Sequence, residues 1–166
     1  FSAAAGSITG SAGAGVEVIG GDAAFSYGGD VAVAGPLAVS VTGRAGGALT
    51  FSGTLASTGQ GISVQNNTGG SVAFTGGSTS LATGANPGVS LVNNAGATIS
   101  FGGGGLVIAT TTGAGFEATG GGTVTVTGAG NTVTSAGGAC PPSSAIHLSA
   151  GRGTAFASPI APERRF

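Results

Sequence analysis

The sequence predicts an all-β protein: a right-handed parallel β-helix, or β-solenoid, of about 5–6 coils of 23–30 residues with three short strands per coil. Three observations lead there. One pattern is written three times, as GISVQNNTGGSVAF from Gly61, GVSLVNNAGATISF from Gly88 and GFEATGGGTVTV from Gly115. Glycine supplies 37 of the 166 residues without the every-third-residue period that collagen demands. Val, Ile and Thr are plentiful and alternate with small residues, which marks half-buried strands rather than disorder. No long segment repeats apolar residues at three and four, so no helix is expected.

The elements follow in order. Residues 1–15 are mostly Ala, Gly and Ser, with Ile8 as the only large aliphatic residue, and read as an irregular or partial first coil. The repeats run over 16–139. Their first column of strands is Val16-Glu17-Val18, Val39-Ser40-Val41, Ile62-Ser63-Val64, Val89-Ser90-Leu91, Phe116-Glu117-Ala118 and Ile146-His147-Leu148, with starts 23, 23, 27, 27 and 30 residues apart. A second column is Phe25, Phe51, Phe74, Phe101 and Val126, and a third is Val31 to Val33, Leu55, Leu81, Val107 to Ile108, and Val133. The period of two turns Ile62 and Val64 inward and Ser63 outward. No coil buries its own apolar residues, so stacking at about 4.8 Å per coil supplies the core, in a rod of roughly 25–30 Å.

The corners account for the glycine, because sharp turns need positive φ, which Gly adopts freely and Asn tolerates. Asn66-Asn67 and Asn93-Asn94 fall at one corner in consecutive repeats and are expected to form a ladder of side-chain amides. Asn66-Asn67-Thr68 also fits the N-glycosylation pattern. After Ala139 the composition changes: four of the six prolines, three of the four arginines, the only Cys (Cys140) and the only His lie there. Residues 140–166 read as a last partial coil, through Ile146-His147-Leu148, followed by a C-terminal tail over 157–166. Cys140 has no second cysteine to pair with and reads as a turn residue.

The run from Gly21 to about Ser135, typified by GGSVAFTGGSTSLATGANPGVSLVNNAGATISF, resembles the β-strand repeat regions of very large bacterial secreted and surface proteins. These include autotransporter-like and adhesin-like passengers with right-handed β-helices. The resemblance implies an extracellular stalk or adhesive surface and brings no catalytic motif. The stretch after Ala139 departs from the repeat style.

Composition narrows the functions. A net charge of −1 with four Arg and no Lys argues against nucleic acid, whose binding draws on clustered cations. No apolar run is long enough for a transmembrane helix. The start, FSAAAGSITG, lacks the basic and apolar regions of a signal peptide and reads as a cut-out or processed beginning. No enzyme, metal or cofactor is expected. Glu17 and Glu117 share an outward column but stand four coils apart, about 19 Å, whereas paired glycosidase carboxylates need roughly 5–9.5 Å. Asp22 and Asp30 each follow Gly-Gly without reproducing the calcium-binding nonapeptide, and read as turn acids. His147 reads as a surface histidine.

What remains is an outward face beside the Phe column: Thr50, Ser52, Ser71, Thr75, Thr98, Ser100, Thr123, Thr125 and Thr127, interleaved with alanines. Small, uncharged and hydroxylated, it predicts a flat interaction surface. With only 5% charged residues, lateral or end-to-end self-association into fibres is the expected partner behaviour. The face is also similar to the ice-facing side of β-solenoid ice-binding proteins, which makes ice binding the alternative function and an ice surface or glycan the alternative partner.

Overall fold

Alternating sequence becomes three sheets wound into one solenoid. The computed structural model describes residues 1–135, 146–149 and 154–156. The first coil holds β1 (Ser2–Ala3), β2 (Ser7–Thr9) and β3 (Val16–Ile19), and the second β4 (Phe25–Tyr27), β5 (Asp30–Val33) and β6 (Leu37–Thr42). The third holds β7 (Ala48–Phe51), β8 (Leu55–Ser57) and β9 (Gln60–Gln65), and the fourth β10 (Ser71–Phe74), β11 (Thr79–Gly84) and β12 (Val89–Val92). The fifth holds β13 (Thr98–Phe101), β14 (Leu106–Thr110) and β15 (Phe116–Thr119). The sixth holds β16 (Thr123–Val126), β17 (Thr132–Ser135) and β18 (Ile146–Ser149), and β19 (Thr154–Phe156) follows. Every third strand joins one sheet. Sheet A is β1-β4-β7-β10-β13-β16-β19, sheet B β2-β5-β8-β11-β14-β17, and sheet C β3-β6-β9-β12-β15-β18.

The core lies inside the winding. In sheet C, Val16, Val39, Ile62, Val89 and Phe116 stand in register, each buried. In sheet A, Phe51, Phe74 and Phe101 are in register, and their rings stack at 5.2 and 4.7 Å, nearly parallel at 14° and 10°. Each such ring pair contributes about 0.5–1.5 kcal/mol beyond its area burial. The corner between sheets C and A has one backbone conformation in five coils. Gly20, Gly43, Asn66, Asn93 and Gly120 occupy it with φ of 64°, 70°, 55°, 55° and 74°. Only Gly and, at some cost, Asn enter this left-handed region routinely.

Four sequence expectations are corrected or refined. Residues 1–15 carry β1 and β2, paired in parallel with β4 and β5 (Ser2↔Ser26, Ile8↔Val31). Backbone pairing to the next coil makes these strands; their side chains give little sign of it. Phe25 is in register with Leu49, and Tyr27 with Phe51. The Phe25 ring therefore meets Phe51 at a tilt of 53° and 6.0 Å, and stacks on Phe1 at 5.4 Å. In sheet B, Leu55 aligns with Val31 and Thr79, whereas Leu81 aligns with Ser57 and Ile108. Leu55 and Leu81 are thus two residues apart in register, and Val107 turns outward, 41% exposed. Ser63 points outward yet is buried, and the Gln65 side-chain amide lies against its hydroxyl. Cys140 and the tail 157–166 lie outside the described residues.

Among the described residues, one buried hydroxyl breaks the satisfaction rule. Ser57 Oγ donates to the Gln60 carbonyl, and Thr83 Oγ1 donates to that of Asn86 at 2.8 Å, three residues on in each case. Thr110 enters the following corner one coil later, but its Oγ1 is buried without a partner. An unmade buried hydrogen bond costs about 1–3 kcal/mol. Thr110→Val keeps the shape and removes the hydroxyl, so it is expected to raise stability by about 1 kcal/mol. Thr83→Val strands the Asn86 carbonyl and is expected to lower stability by a similar amount. Urea unfolding of both variants beside the parent checks the opposite signs.

Candidate functional site: an amide ladder and a flat neutral face

The amide corner is built from two kinds of asparagine. Asn66 and Asn93 are the only non-glycine residues with positive φ among the described residues, and their side chains lie at the surface. Asn93 Nδ2 donates to Asn66 Oδ1 at 3.3 Å, across one coil. The next residue turns inward: Asn67 and Asn94 are 1% and 0% exposed. Asn94 Nδ2 donates to the Val64 carbonyl at 2.8 Å. Asn94 Oδ1 accepts from Asn67 Nδ2 at 2.7 Å and from the Asn67 N–H at 3.3 Å. Asn67 Oδ1 in turn accepts from the Arg44 N–H at 2.8 Å.

Arg44 continues the column toward the first coil and was not singled out in the sequence. Its guanidinium is buried and donates to the carbonyls of Gly20, Ala23 and Gly46 at 3.1, 2.7 and 2.8 Å. Buried charge is costly without partners; here three carbonyl dipoles supply them. The signal was present in the sequence, since Gly43-Arg44 precedes Asn66-Asn67 by the repeat length of 23. The inner amides and the guanidinium are thus committed to holding three coils together. Truncating Asn67 to Ala leaves both the Arg44 N–H and Asn94 Oδ1 short of a partner. The expected loss is about 2–4 kcal/mol, from two groups at about 1–3 kcal/mol each. Asn66→Gly keeps the left-handed backbone and is expected to cost less than about 1 kcal/mol. Denaturant midpoints of the two variants distinguish the inner ladder from the outer one.

The flat face is the outside of sheet A. Its first column is Ala48, Ser71, Thr98 and Thr123, and its second Thr50, Ala73, Ser100 and Thr125, each in register from strand to strand. A third lies just past the strand ends: Ser52, Thr75, Gly102 and Thr127, whose N–H groups pair with the carbonyls of Tyr27, Phe51, Phe74 and Phe101. Gly102 is the one gap in that column. All nine hydroxyl residues expected on this face are on it, exposed or half-buried. Successive rows are one strand spacing apart, about 4.8 Å, and alternate residues along a strand about 6.8 Å.

The acids do not converge. Glu17 and Glu117 occupy one outer column of sheet C with Ser40, Ser63 and Ser90 between them, four strand steps apart. Among the described residues no three His, Cys, Asp or Glu side chains gather to hold a metal. No helix there is long and apolar enough to cross a membrane. Asp30 ties two coils together: its Oδ1 accepts from the Thr54 N–H at 2.8 Å and from Thr54 Oγ1 at 2.7 Å. The backbone N–H, then the hydroxyl, favours the carboxylate and holds the Asp30 carboxyl below its ordinary value of 3.8. A lowered folded value means stability that is present above the unfolded value and lost as pH falls through the folded one. Parent protein is therefore expected to be more stable than Asp30→Asn at pH 7. The gap should shrink as pH drops below about 4, as read by thermal unfolding across that range.

Sheet C is not flat outside. The corner after β11 projects beyond the strands and walls a cleft of about 200 Å³. Sequence reasoning gave no sign of this cleft, because it depends on how far this corner stands out from the shorter corner of the coil before it. In comparisons with known proteins, no family model matches the chain, and no curated protein or solved structure matches it.

Proposed function

We propose that this chain is a non-catalytic structural and adhesive β-solenoid segment of an extracellular bacterial protein, and that copies associate laterally through the outside of sheet A. The observation that carries this reading is the in-register, uncharged Thr/Ser/Ala face running from Ala48 to Thr127. Such a face has no like charges to keep two copies apart, and its small side chains let two sheets approach closely. The separated acids on sheet C fit a segment without glycosidase chemistry. The likeness of its repeats to adhesin-like and autotransporter-like regions supports an extracellular place.

Sedimentation velocity over a rising concentration series tests the association. The parent is expected to form larger species, and a double variant, Ala73→Glu with Ser100→Glu, to stay monomeric because like charges then face one another on the sheet. A monodisperse parent at the highest concentration would sink the assembly reading.

A second reading has its own observation. Two unbroken columns, Ala48 to Thr123 and Thr50 to Thr125, present small and hydroxyl groups on a regular lattice, which supports ice binding. Thermal hysteresis and ice-crystal shaping test it. Their absence in the monomeric protein discards this alternative.

A further inference from the structure

We propose that the cleft on the outer side of sheet C binds a neutral glycan, one sugar ring at a time. This inference rests on the adhesive part of the function proposed above and names its ligand.

The cleft is built by one corner. Between Ile62 and Val89 the repeat is 27 residues rather than 23, and the register of β11 shifts between Ala82 and Gly84. The extra length stands out as the Asn86-Pro87 wall. That wall is held at four points. Asn86 Nδ2 donates to the Gly59 carbonyl at 3.0 Å, and the Asn86 N–H to the Thr83 carbonyl at 3.0 Å. The Asn86 carbonyl accepts from Thr83 Oγ1 at 2.8 Å, and Pro87 has a ring-locked φ. A wall fixed this way keeps its shape without ligand, which lowers the cost of binding.

The lining selects the chemistry. Ser63 and Ser90 form the polar floor, in adjacent strands and in register. Ser63 Oγ accepts from Gln65 Nε2 at 2.6 Å, which orients the Gln65 amide, and half-buried Ser90 supplies the more accessible hydroxyl of the floor. Gln60 adds another uncharged donor and acceptor at the rim. Beside these lie the apolar surfaces of half-buried Leu37 and exposed Pro87. Hydroxyls and amides that both donate and accept, next to apolar patches, match a pyranose ring, whose edge is hydroxyl and whose faces are C–H. Among the described residues no charged side chain lines the cleft, so nothing there neutralises a phosphate or carboxylate. The serine column ends at Glu17 on one side and Glu117 on the other, with Glu117 directly beside Ser90. Acidic sugars are thereby repelled. The volume is below the roughly 300–1,000 Å³ that encloses a drug-sized molecule, which limits the cleft to one ring of a chain lying along the sheet.

Affinity electrophoresis of the whole chain through gels holding dextran, galactomannan, xyloglucan or polygalacturonate tests the proposal. Retardation by at least one neutral polymer and none by polygalacturonate is expected. Ser90→Trp fills the cleft and is expected to weaken retardation by about tenfold or more, the equivalent of losing one or two good contacts. Val107→Trp, on the outside of sheet B and in neither proposed surface, is expected to leave it unchanged. Glu117→Gln is expected to admit polygalacturonate. Circular dichroism verifies that each variant is folded; if Ser90→Trp is not, Gln65→Leu takes its place with the same expectation. No retardation by any neutral polymer overturns the proposal, as does retardation that survives the filling variant or is strongest with polygalacturonate. The assembly measured by sedimentation is independent of these results, so a failed glycan site and a failed structural reading are told apart.

Discussion

Each coil depends on its neighbours for both halves of its stability. A strand of two to six residues buries nothing by itself, and its N–H and C=O groups have no partners within its own coil. Parallel pairing to the coils before and after supplies both at once. It fixes the register of Val39, Ile62 and Val89 in sheet C and of Phe51, Phe74 and Phe101 in sheet A. The same pairing makes strands of Ser2–Ala3 and Ser7–Thr9, whose side chains alone would not. The stability of such an array is a sum of neighbour terms rather than the property of any one coil.

Stacking demands that every coil turn at the same places, and the corner between sheets C and A shows how this is met. Five residues in a left-handed conformation recur there, three glycines and two asparagines. The residue after each asparagine faces inward, where an amide is tolerated only if its polar atoms are paired. Asn67 and Asn94 meet that demand by bonding to each other and to the backbone, and Arg44 extends the column with three carbonyl acceptors. A chain with 5% charged residues thus spends one of its few cations inside. The amide ladder was read from the repeated Asn pairs; the guanidinium that extends it was not.

The outward half of every strand is free of the packing constraint, and there the faces diverge. Sheet A carries rows of small hydroxyl and methyl groups in register, flat and uncharged. Sheet C carries a serine column bounded by two glutamates and, beside it, a projecting corner. The two surfaces thus differ in both shape and chemistry.

The sequence by itself determined much of the architecture. Alternation of β-branched and small residues told inward from outward at Ile62, Ser63 and Val64. The repeated Asn-Asn pairs marked one corner, and all nine hydroxyl residues of the flat face were legible from their place beside the Phe column. These features are local, and a period of two survives whatever the neighbouring coil does. Only the tertiary structure decided the registers: Phe25 sits opposite Leu49, and Leu55 and Leu81 fall two residues apart. It alone showed where the Arg44 guanidinium ends and that a cleft exists. The physical reason is that register follows from the backbone hydrogen bonds between coils and from corner length. Corners here differ by several residues from one coil to the next. A shifted residue at Gly84 or an extra turn at Asn86 leaves the strand pattern intact while moving every side chain around it.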